Sequence, residues 1–61
     1  MKMKKPVAIT YCDFGKEGRK DEIRKHYSFK SALSGYKKIW DIYHRLSGWK
    51  VWQEEIKEIN A

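Results

Sequence analysis

Between Ser31 and Gly48 the apolar residues return every three or four positions. At 100° per residue Ala32, Leu33, Tyr36, Ile39, Trp40, Ile42, Tyr43 and Leu46 fall on one half of a helical wheel. Ser34, Lys37, Lys38, Asp41, His44 and Arg45 fall on the other. The pattern predicts an amphipathic helix over 31–47, with Ser31 as N-cap and Gly48 as the left-handed residue that closes it. Gly35 sits near the apolar margin, where a missing side chain lets another part of the chain approach closely. On the wet face Lys37, Asp41 and Arg45 are spaced for an ionic ladder, and His44 is expected in solvent.

On either side the period changes from 3.6 to 2. Val7–Phe14 is rich in β-branched and aromatic residues and apolar on both faces, which suits a central strand. Gly15-Lys16-Glu17-Gly18-Arg19-Lys20 follows as a turn or hairpin tip, its two glycines supplying positive φ. Asp21–Phe29 reads as the partner strand, with Ile23, Tyr27 and Phe29 on one face and Arg24, His26 and Ser28 on the other. A helical turn capped by Asp21 is the alternative. Trp49–Glu54 is read as a third strand, although Trp49, Trp52, Ile56 and Ile59 also form a helical stripe.

These elements give a small α+β domain of β-β-α-β order, a three-stranded, mainly antiparallel sheet packed on one helix. A hairpin followed by two helices is the alternative topology. One domain spans residues 1–61, with a basic arm at 1–5 and a flexible or helical tail at 55–61.

Size and charge sharpen this picture. A 61-residue chain has room for one small core and buries only about 60% of its unfolded surface. Its 15% aromatic residues supply much of that burial, and homodimerisation would add more. A single cysteine, Cys12, excludes an internal disulfide and suits a reducing, cytoplasmic setting. No stretch approaches the length of a membrane span, and the basic start lacks the apolar run of a secretory signal. The net charge is +6, of which residues 1–30 carry +5, residues 31–48 carry +2 and residues 49–61 carry −1. A basic front half favours nucleic acid or an acidic protein surface.

The candidate chemistry is that of binding. Cys12, His26 and His44 are the only soft ligands and nucleophile–base candidates, and their spacing fits neither a zinc site nor a catalytic dyad. No enzyme activity, metal or other cofactor is therefore expected. Gly15-Lys16-Glu17-Gly18 matches a GxxG loop literally, but it follows a strand rather than joining two helices, so it reads as a plain turn. The stronger signal is distributed. Lys16, Arg19, Lys20, Arg24, Lys25 and His26 lie on or beside the hairpin, with Tyr11, Phe14 and Tyr27 among them. Cations serve phosphates and rings serve base stacking, so Lys16, Arg19, Lys20, Arg24, Lys25 and Tyr27 are the candidate nucleic-acid contacts of a regulatory module. The alternative is a protein-binding inhibitor or adaptor of the phage- or plasmid-accessory type. It would use an exposed Trp52 with Lys50, Lys37, Lys38 and Arg45.

Overall fold

The computed structural model describes residues 5–56. Strands β1 (Ala8–Cys12), β2 (Asp21–His26) and β3 (Val51–Glu55) form one antiparallel sheet in the order β2-β1-β3. Helix α1 (Phe29–Ile39) runs into a π-helical segment, Trp40–Arg45. The α+β domain and its β-β-α-β order are as the periodicity predicts, with β1 as the central strand. Most of the arm expected at 1–5 and of the tail expected at 55–61 lies outside the described residues. Glu55 belongs to β3 and Ile56 follows it, its N–H donating to Val7 O at 2.9 Å.

Alternation along β1 sets the two faces of the sheet. Ala8, Thr10 and Cys12 face the helix and are all but fully buried. In register with them on that face stand His26 beside Ala8, Arg24 beside Thr10, Gln53 beside Thr10 and Val51 beside Cys12. Cys12, Ile39 and Val51 form the buried centre, with Phe14, Ile23, Tyr36, Trp40, Tyr43 and Trp49 packed around it. Cys12 is thus a small buried hydrophobe with a free thiol. The Tyr36 hydroxyl donates to Val51 O at 3.3 Å and the Gln53 amide to Ala32 O at 3.0 Å, tying the helix to β3.

A bulge between Thr10 and Tyr11 corrects the predicted faces of β2. Thr10 pairs with Arg24 and Tyr11 with Glu22, so Ile23 is the extra residue and leans into the core. Three places on, His26 also faces the helix and is wholly buried, not displayed on the hairpin opposite Ile23. Its Nε2 lies 2.6 Å from Thr10 Oγ1. Strand β2 stops there, and Phe29, expected in the strand, is the first residue of α1.

The helix also departs from the wheel. Ser28, not Ser31, is the N-cap: its hydroxyl accepts from Ser31 N at 3.1 Å, so Ser31 supplies the amide that is capped. Beyond Ile39 the turns widen to π geometry, so a wheel drawn at 100° per residue no longer applies. Ile42 and Leu46, placed by the wheel on the apolar half, are exposed, as is Leu33 at the opposite margin. A sheet of three short strands covers only the middle of the arc. His44 is half-buried rather than solvated. Its ring lies 4.5 Å from that of Trp40, and its Nδ1 lies 2.9 Å from Trp49 O. Of the ionic ladder, Asp41 and Arg45 pair at 3.8 Å. Gly48, at φ 73°, closes the element through Gly48 N to His44 O, in the predicted left-handed conformation.

Candidate nucleic-acid interface

The helix covers one face of the sheet, and the other carries the remaining set of alternating residues. Tyr11 stands between Glu22 of β2 and Trp52 of β3, and Ile9 between Lys25 and Glu54. Direct cross-strand pairing brings the Tyr11 and Trp52 rings to 6.0 Å between centroids, inclined by 25°. Both residues are half-buried. The Lys20 ammonium stands 4.4 Å above the Tyr11 ring. It also bridges both Glu54 oxygens at 3.1 and 3.0 Å, while the Trp52 indole N–H donates to Glu54 Oε2 at 2.9 Å.

The loop from Asp13 to Lys20 supplies the basic rim. Asp13, buried, accepts from Gly15 N at 2.9 Å and Lys50 N at 3.0 Å through one oxygen. This Asx turn also pins the loop to the approach of β3. Phe14 is the one non-glycine residue with positive φ among the described residues, at 47°. Its ring packs edge-on against Trp49 at 5.1 Å and Tyr43 at 5.9 Å, and the Arg19 guanidinium lies 5.5 Å above it. Between the loop and the start of β3 opens a cleft of about 270 Å³, bordered by Arg19, Lys20, Lys50 and Trp52 together with Asp13 and Glu17.

The expected contact residues are therefore divided. Arg19 and Lys20 meet at the cleft with Lys50 and Trp52, and Lys25 is in register on the helix-free face. Lys16 is exposed in the loop, and Tyr27 is exposed beyond the far end of β2. Arg24 lies on the helix side, its guanidinium 3.8 Å from where a β-carbon on Gly35 would stand. Phe14 and His26 are committed to the helix side. Among the residues expected to bind protein, Trp52 and Lys50 share the cleft, whereas Lys37, Lys38 and Arg45 are exposed on the helix that packs against the opposite face. Trp49 and Trp52 point to opposite faces, Trp49 to Phe14 and Tyr43, Trp52 to Tyr11. Trp49 does so from the segment before β3, which begins at Val51.

Acids hold three of the candidate cations, Lys25 being paired with Glu22 at 4.0 Å. Arg19 pairs with Asp21, and Lys20 with Glu54. The hydrogen bonds from Trp52 and Lys20 hold the Glu54 carboxyl below the usual carboxylate range, and the bond to Glu54 raises the Lys20 ammonium. The role of Glu54 was not legible from the sequence, because it depends on the β1–β3 register that sets Glu54 opposite Ile9, on the face where the Lys20 side chain reaches over Tyr11. No helix among the described residues is long and apolar enough to cross a membrane. Compared with known proteins, the chain matches no family model, no curated protein and no solved structure.

Proposed function

We propose that this protein is a non-enzymatic nucleic-acid-binding module that lays a strand along the helix-free face of its sheet. The observation that carries this reading is the Tyr11–Trp52 ring pair on that face, bordered by Arg19, Lys20 and Lys50 at the cleft. Rings on neighbouring strands offer bases a stacking platform, and a basic rim follows the phosphate backbone. The ring pair lies on a sheet, its planes inclined by 25°, and stacking on such rings favours splayed, single-stranded bases over a paired duplex whose faces are already stacked. A gel shift at low salt against single- and double-stranded DNA and RNA, repeated at higher salt, tests the reading. Binding that weakens steeply with salt is expected, and no shift with any of the four ligands at low salt would end it.

A second reading rests on a different observation. Phe29, Leu33, Ile42 and Leu46 are between 54% and 74% exposed on the helix, more large apolar surface than a small monomer needs to show. A protein-binding inhibitor or adaptor would use such residues. Its test is co-purification with a defined acidic partner that is lost in Leu33→Asp and kept in Trp52→Ala.

A further inference from the structure

Glu54 makes contacts that a nucleic-acid phosphate would make. Its two oxygens take the Lys20 ammonium, at 3.1 and 3.0 Å, and the Trp52 indole N–H, at 2.9 Å. Lys20 and Trp52 both border the cleft, but Glu54 does not: it reaches them from the strand face next to the cleft. A phosphodiester presents the same formal charge as a carboxylate and likewise offers two unshared oxygens to donors. From this geometry we infer that Lys20 Nζ and Trp52 Nε1 form an anion subsite for a backbone phosphate, and that Glu54 fills it in the free protein. The inference rests on the nucleic-acid reading above and gives that site a built-in competitor.

The neighbouring residues fit this arrangement. Lys20 also stands over the Tyr11 ring, so an ammonium released from Glu54 is already beside the stacking platform. A phosphate held there would put the adjoining base over the rings, with Lys50 across the cleft for the next phosphate. Among the described residues no carboxylate pairs with the Lys50 ammonium, so it is available from the outset, whereas Lys20 must exchange one anion for another. All these groups are open to solvent, so the exchange is a competition between screened anions, and added salt weakens both sides of it.

The test compares two variants that remove the same charge from the same strand. Glu54→Ala empties the subsite. Glu55→Ala removes an exposed carboxylate whose position in β3 alternates to the helix side. Binding of a fluorescent oligothymidylate is measured by anisotropy over a range of salt. Glu54→Ala should bind at least about threefold tighter than Glu55→Ala at low salt, with a log–log salt slope steeper by about 0.7, the value of one extra phosphate contact on a single strand. In parallel, inorganic phosphate is titrated while the indole N–H signal of Trp52 is followed by NMR. The signal should move saturably in Glu54→Ala and stay in place in Glu55→Ala. Equal oligonucleotide binding by the two variants together with an unmoved indole would overturn the subsite and leave the nucleic-acid reading standing. A moved indole with no oligonucleotide binding by any variant would keep the subsite and remove that reading. If neither ligand has any effect, both fall. Should Glu54→Ala fail to fold, Glu54→Gln against Glu55→Gln gives the same two readouts.

Discussion

Gly35 lies directly against the buried ring of His26: a β-carbon at Gly35 would stand 2.9 Å from His26 Cε1 and 3.2 Å from Nδ1. The missing side chain is what lets α1 come down over the end of β2. On helix propensity alone Gly35→Ala should gain about 1 kcal/mol. The atoms it would meet belong to a fully buried imidazole held by Thr10, and overpacking of this kind costs about 1–3 kcal/mol. A net loss of stability is therefore expected, read as a lower urea midpoint. A raised midpoint would show that the ring yields.

The same histidine makes stability depend on pH. Burial pushes its pKa below the ordinary 6.5, and the positive charge of Arg24 pushes it the same way. Thr10 Oγ1 lies at its Nε2, Gly35 packs against the ring, and no described partner reaches Nδ1. With the folded pKa below the unfolded one, both states are neutral above about pH 7 and stability is level there. As pH falls below about 6.5 the unfolded chain takes up a proton that the folded chain refuses, and stability drops until the folded pKa is passed. Glu54 acts in a separate, more acidic window, its stabilisation lost only as pH falls through its own lowered pKa. Urea titrations between about pH 7.5 and 5 should show the decline, and His26→Gln should flatten it.

Asp13 ties two segments that are far apart in sequence, through Gly15 N and Lys50 N. Asp13→Ala leaves both donors without that acceptor in a half-buried setting, at a cost of about 1–3 kcal/mol. Asp13→Asn keeps an oxygen in place and should lose much less. Hydrogen exchange at Lys50 N–H gives the local check, faster in the alanine variant and near wild type in the asparagine variant.

Periodicity marks β1 and the helix outright, whereas β2 and β3 follow only from the sheet's need for partners, since their local patterns also fit a helix. It did not give the three-dimensional offsets. A single bulged residue, Ile23, turned β2 over, so His26 went from the predicted surface into the core. The π-helical turn after Ile39 likewise broke the wheel that placed Ile42 and Leu46 on the apolar half. The bulge depends on strand pairing, which no local pattern encodes. Chemical denaturation separates the two kinds of apolar position. Ile39→Ala, at 8% exposure in the core cluster, should cost about 2–5 kcal/mol. Leu33→Ala, at 74% exposure, should stay within about 0.5 kcal/mol of wild type.

Charge and stacking at the proposed interface can be separated on one salt plot. Lys50 borders the cleft, whereas Arg24, the one of the two that the sequence marks as a nucleic-acid contact, lies on the helix side. Lys50→Ala should therefore weaken binding to oligothymidylate and reduce the log–log salt slope by about 0.7. Arg24→Ala should leave that slope nearly unchanged. Trp52→Ala removes a ring and no charge, so its expected loss of about 1–3 kcal/mol per stacked base should persist at every salt concentration with the slope preserved. Circular dichroism on each variant confirms that the domain is intact. Should Arg24→Ala flatten the slope as much as Lys50→Ala, the strand would be running along the β2 edge instead of across the Tyr11–Trp52 face.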